Sequence, residues 1–167
     1  MANPIAYPSA MVVELVGITP IYLNALVHRR LYGIKASLSD RLPEGKARIF
    51  DEGDVLGIAL VWALFQSGLR TQQIRAILNQ IGNTREADAK HTARILSEWR
   101  NTDCLLVIRK PYKTSGKQRW KEIVDKADQH ELGGLMEVHK FTSALVIPMG
   151  ETLDDLKKRI AALSKEK

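Results

Sequence analysis

The sequence has 167 residues, 45% of them hydrophobic and 26% charged, with a formal net charge of +6. That length fits one ordinary domain, or a small head with a second small unit, and the apolar content excludes an intrinsically disordered chain. The single cysteine, Cys104, excludes an intrachain disulfide framework and a thiolate metal cage.

The positive balance favours a polyanionic partner. The opening Met1-Ala2-Asn3-Pro4-Ile5-Ala6-Tyr7-Pro8 has no basic segment followed by an apolar core, so no signal peptide is expected. The longest apolar stretch, residues 55–65, is too short for a bilayer. The expectation is a cytoplasmic protein without a membrane partner.

Residues 1–10 read as a loose arm. A first helix is expected from Ser9, a capping residue, burying Met11, Val12, Leu15 and Val16. Gly17 ends it. Thr19 then caps a second helix, with Pro20 at its first position, running to about Arg30. Ile21 or Tyr22, with Leu23, Leu26 and Val27, forms its inner stripe, leaving Asn24, His28, Arg29 and Arg30 outside. Two short helices across such a turn make a helix-turn-helix.

Residues 31–50 break the helical period. Leu38 and Ile49 read as inward positions of two short strands around the turn Pro43-Glu44-Gly45, which makes a hairpin, or wing. Asp51 caps a third helix carrying Val55, Leu56, Ile58, Ala59, Trp62, Ala63 and Phe65 on a broad core face. Ser67-Gly68 stops it. Thr71 caps a fourth, with Ile74, Ile77 and Leu78 inward.

This succession resembles the head of MerR-type transcription regulators over about residues 11–80. The resemblance is carried by the turn Gly17-Ile18-Thr19-Pro20 and by Arg48-Ile49-Phe50-Asp51-Glu52-Gly53-Asp54-Val55. Its most specific part is Gly68-Leu69-Arg70-Thr71-Gln72-Gln73-Ile74-Arg75-Ala76-Ile77-Leu78. It implies a winged helix-turn-helix that binds double-stranded DNA, and a helix after the head that pairs two subunits in an antiparallel coiled coil. The chain departs from the pattern twice. Asn24-Ala25-Leu26 stands where relatives often carry aromatic pairs, and Arg30 stands where a glycine commonly closes the second helix.

A duplex is read by a helix in the major groove and held in register by phosphate contacts. Thr19, Tyr22, Asn24, His28, Arg29 and Arg30, with Lys35, Arg41, Lys46 and Arg48 of the wing, are the expected DNA-binding residues. Only Asp40 and Glu44 oppose these cations between positions 28 and 48. Arginine forks suit phosphates and guanine edges, while asparagine suits adenine. Tyr22 is expected to reach a phosphate or a thymine methyl.

A second basic run holds Arg109, Lys110, Lys113, Lys117, Arg119 and Lys121, with Tyr112 and Trp120 interleaved. One reading is a second anion-binding site. The other, which we favour, is a surface loop followed by an amphipathic helix burying Trp120, Ile123, Val124 and Ala127. His28, His91, His130 and His139 show no metal spacing, and no catalytic triad, phosphate loop or carboxylate pair appears. No catalytic residue, metal or cofactor is expected, and Cys104 reads as an inert core thiol.

Residues 85–100 read as a helix with Ala87, Ala89, Ala93, Ile95, Leu96 and Trp99 on one side. Strands are expected at 105–108 and 144–147, forming a parallel pair around the Trp120 helix, with an optional strand at 136–140. Thr152 caps a last helix with the stripe Leu153, Leu156, Ile160 and Leu163. The fold class is therefore mainly α with small β: a winged helix-turn-helix head (1–80), a connecting or dimerisation helix (81–101) and a small α+β unit (102–167). The functional expectation is a homodimeric DNA-binding transcription regulator with a small-molecule or protein effector. An architectural DNA-bending factor and a protein-interaction adaptor stand beside it.

Overall fold

The computed structural model describes residues 5–39, 47–98, 104–111, 123–127, 131–132 and 141–165. Among these the protein is mainly helical, with one two-stranded and one three-stranded sheet.

Strand β1 (Tyr7–Pro8) leads directly into α1 (Ser9–Val16), so Pro8 rather than Ser9 takes the cap position, without a side-chain hydrogen bond. Gly17 closes α1 at φ +70°, and its N–H donates to the Val13 carbonyl at 2.9 Å. After Gly17-Ile18-Thr19 the chain turns by 118° into α2 (Pro20–His28). Val12, Leu15, Leu23 and Leu26 are buried between these helices and the rest of the core.

A 3-10 turn (Leu31–Gly33) follows α2, and β2 (Ile49–Phe50) pairs antiparallel with β1 through Tyr7 opposite Phe50. Asp51 caps α3 (Glu52–Gln66) in a reciprocal box: its carboxylate accepts from the Asp54 N–H at 2.8 Å, and Asp54 accepts from the Asp51 N–H at 3.2 Å. Val55, Leu56, Ile58, Ala59, Leu60, Val61 and Leu64 are all buried, so α3 is wrapped on nearly every side. The broad face expected from the sequence is broader still, whereas Phe65 is 44% exposed.

Gly68 at φ +84° ends α3. Helix α4 (Thr71–Gly82) follows, with Ile74, Ile77 and Leu78 fully buried as the pattern predicts. Arg70, not Thr71, occupies the cap position. Its N–H donates to Gln73 Oε1 at 2.9 Å.

Helix α5 (Ala89–Glu98) starts at Ala89 rather than at the expected position 85. It crosses α3 at Gly57, where an added Cβ would come within 2.9 Å of the Lys90 backbone nitrogen. The contact needs a residue without a side chain. Ala89, Thr92, Ala93 and Leu96 face the core, and the Thr92 hydroxyl donates to the Asp88 carbonyl at 2.7 Å.

The C-terminal half differs from the sequence expectation. Strands β3 (Leu105–Pro111), β4 (Ile123–Ala127) and β5 (Phe141–Ile147) form an antiparallel sheet in the order β4-β3-β5. The expected parallel pair, β3 with β5, is antiparallel, and positions 123–127 are a strand rather than the end of a helix built around Trp120. Register runs from Leu105 opposite Ala127 to Arg109 opposite Ile123. A short apolar run fits either period, and pairing to β3 decides for the strand. The optional strand at 136–140 lies outside the described residues.

Helix α6 (Met149–Lys165) starts before the expected Thr152 cap, and the Thr152 hydroxyl instead donates to the Pro148 carbonyl at 3.0 Å. Its stripe, Leu153, Leu156 and Ile160, is buried in the same hydrophobic cluster as Val12, Ile58 and Leu96, with Leu163 packed at the edge. Arg159 reaches back to donate to the Leu15 carbonyl near the end of α1 at 3.2 Å. Cys104 is buried beside β3, and its carbonyl accepts from Gly150 N at 2.8 Å.

Candidate nucleic-acid interface

Helix α2 is built to present one face. The Thr19 hydroxyl oxygen accepts from the Tyr22 N–H at 3.2 Å, satisfying one of the unpaired donors of the first turn. Leu23 and Leu26 anchor the inner side. Tyr22 also turns inward: its ring centroid lies 4.5 Å from that of Phe65 and 5.2 Å from that of Trp62. Burial, reinforced by Tyr32 nearby, pushes the Tyr22 phenol from its ordinary 10.0 up to about 12. Of the two alternatives for the inner stripe, Tyr22 takes the position. Ile21 stands out in solvent, 83% exposed.

The outer face of α2 and its end carry Ile21, Asn24, His28, Arg29 and Arg30, all exposed. Arg30 adopts the left-handed conformation, φ +45° and ψ +41°, a region that glycine enters at no steric cost. Tyr32 is left-handed as well, at φ +56°, and its hydroxyl donates to the Thr71 carbonyl at 3.4 Å.

The loop after α2 returns at its stem. Leu38 N donates to the Ile49 carbonyl at 3.2 Å, but Leu38 lies in a turn rather than a strand, and Ile49 pairs with Pro8 of β1, so the expected strand pair at Leu38 and Ile49 is not formed among the described residues. Lys35 is exposed at the near side of this stem. Arg41 and Lys46 lie outside the described residues, as does the tip of the loop.

The stem is held by a residue the sequence reading did not single out. Asp54, 4% exposed, accepts from Ser37 N at 3.0 Å and Ser37 Oγ at 2.8 Å, besides the Asp51 N–H. Lys90 of α5 completes the cluster at 2.5 Å from Asp51 and 3.2 Å from Asp54. Burial pulls the Lys90 ammonium pKa down, but the hydrogen bonds and charges of Asp54 and Asp51 outweigh it, and the net shift is upward. The spacing Asp51-x-x-Asp54 was the available signal, since it reads as a capping box. Nothing in the sequence pointed to Ser37 or Lys90 as its partners.

A side-chain hydrogen bond links the residue before β2 to α2. Arg48 NH1 donates to Asn24 Oδ1 at 2.7 Å. Asn24, His28, Arg29 and Arg30 thus lie along α2 and its end, Arg48 is joined to Asn24, and Lys35 is exposed on the segment that follows. Thr19 is committed to its cap, and Tyr22 is packed on α3.

Of the second basic run, Arg109 and Lys110 fall in β3, while Lys113, Lys117, Arg119 and Trp120 lie outside the described residues. A separate cleft of about 450 Å³ opens between the start of α3, α5 and α6. Its lining mixes Glu52, Asp88 and Glu98 with Lys90, Arg94 and Lys157. Among the described residues, no group of three or more His, Cys, Asp or Glu side chains is placed to hold a metal ion. No helix among them is long and apolar enough to cross a membrane. No protein-family model, no curated protein and no solved structure matches this chain.

Proposed function

We propose that this chain is a sequence-specific double-stranded DNA-binding transcription regulator, with a MerR-like winged helix-turn-helix head, acting as a homodimer. The observation that carries the reading is the Arg48–Asn24 hydrogen bond. It joins the exposed face of α2 to the stem of the wing, so a groove-reading helix and a backbone-gripping loop would meet a duplex from one side. The 118° turn between α1 and α2 falls within the range of helix-turn-helix pairs. The cations around that face supply the sequence-independent part of the affinity. Two heads on a two-fold axis would read an inverted repeat.

Selection of bound duplexes from a random pool tests this directly. The recovered motif should be an inverted repeat. Binding should weaken linearly in log–log form as salt rises, with a slope of about one unit per phosphate neutralised. A protein that retains no duplex even at low salt is not a DNA-binding regulator.

A further inference from the structure

We infer that Asn24 and Arg48 act as one guanine-reading unit, Arg48 as the base contact and Asn24 as the positioning residue that aims it. This rests on the DNA-binding reading above and says which base the head reads at this point.

Free asparagine suits adenine because its carbonyl accepts from N6 while its amide donates to N7. Here the carbonyl is engaged. A guanidinium carries donors only, so the Asn24 side-chain atom facing it is the oxygen. The 2.7 Å separation is that of a charge-assisted bond. The Asn24 amide and the Arg48 N–H groups outside this bond are all donors. Among the four bases, only guanine offers two acceptors, O6 and N7, to the major groove. Adenine would set its N6 donor against another donor.

Placement supports the same assignment. Asn24 is exposed on the outer face of α2, while Arg48 is half-buried at the stem. The stem beneath is fixed through Ser37 and Asp54, so the guanidinium starts from a held position. A side chain restrained before binding loses less entropy when it meets its base.

The test uses the full-length protein in four forms: wild type, Asn24→Ala, Asn24→Asp and Arg48→Met. Each is carried through selection from a random duplex pool. The selected guanine is then replaced by adenine or by 7-deazaguanine, and circular dichroism checks that each variant is folded. For wild type, guanine to adenine at one position of each half-site should weaken binding roughly 5- to 100-fold. Asn24→Ala and Arg48→Met should flatten that preference. Asn24→Asp, which keeps an acceptor for Arg48, should retain it. The 7-deaza substitution should weaken wild type and leave Arg48→Met unaffected.

Two results overturn the inference while leaving DNA binding intact. One is an adenine position that loses its preference in Asn24→Ala, which would return Asn24 to direct adenine reading. The other is unchanged selectivity with uniformly weaker binding in Arg48→Met, which would make Arg48 a phosphate contact. Failure of wild type to bind any duplex removes the DNA-binding reading itself, and the guanine assignment with it.

Discussion

Lys90 Nζ lies 3.2 Å from Asp54 Oδ1, across the contact between α5 and the start of α3. The same carboxylate accepts from the Ser37 N–H and hydroxyl, in the segment that follows α2. One buried side chain therefore ties the loop beside α2, the third helix and the fifth. Asp54→Ala leaves the Ser37 and Asp51 N–H groups without this acceptor, and we expect a loss of about 3 kcal/mol in urea unfolding. The Ser37 amide should exchange its hydrogen faster than in wild type. A loss well under 1 kcal/mol with Ser37 protection intact would show that the stem is held by other contacts.

Arg30 occupies left-handed space at φ +45°, where a side chain is disfavoured. Arg30→Gly should relieve that strain and raise stability by about 1 kcal/mol, less whatever glycine adds to unfolded-chain entropy. The urea midpoint should rise with an unchanged m-value. Arg30→Ala, which keeps a Cβ, should not reproduce the gain. If both variants behave alike, strain at this position is not what limits stability.

Tyr22 gives the protein an alkaline limit. Its phenol sits at about 12 in the folded chain, above the ordinary 10.0 it regains on unfolding. The folded state therefore favours the neutral phenol, and its contribution is complete below about pH 10. It is lost as pH rises from there towards 12. Tyr7, Tyr32 and Lys90 shift in the same sense, so the wild-type curve is a composite. Comparing urea midpoints of wild type and Tyr22→Phe across this range isolates one phenol. The variant should fall less steeply, and parallel curves would contradict the packing of Tyr22 on Phe65 and Trp62.

Leu156 of α6 is buried in the same cluster as the α1 and α3 side chains. Leu156→Ala should cost about 3 kcal/mol, the usual range for a truncated core leucine. Because the cluster is continuous, the loss should appear in one transition, with tryptophan fluorescence and helical circular dichroism coinciding. Two separated transitions would mean that the N-terminal helices and the C-terminal unit unfold independently.

Much of the helical frame is legible in the sequence because its signals are local. Gly17, Thr19 and Pro20 set the first turn through backbone conformation and capping, which depend on neighbours only a few positions away. Asp51 and the inward Ile74, Ile77 and Leu78 follow from the same short-range chemistry. Where helix period and strand period both fit, as at Ile123 and Val124, only the partner strand β3 decides. Sequence spacing likewise cannot choose between Ile21 and Tyr22 for the inner stripe of α2. The aromatic floor formed by Trp62 and Phe65, some forty positions away, makes that choice.

Residue type and charge alone establish that α2 and its following loop form a basic segment with an asparagine at its centre. Tertiary structure decides what that asparagine presents, because Arg48 arrives from 24 positions downstream and takes its carbonyl. It also decides that Asp54, a first-turn carboxylate by sequence, becomes the junction for Ser37 and Lys90. Capping and periodicity are properties of adjacent residues, whereas hydrogen-bond partnership is a property of surfaces that meet only after the chain has folded.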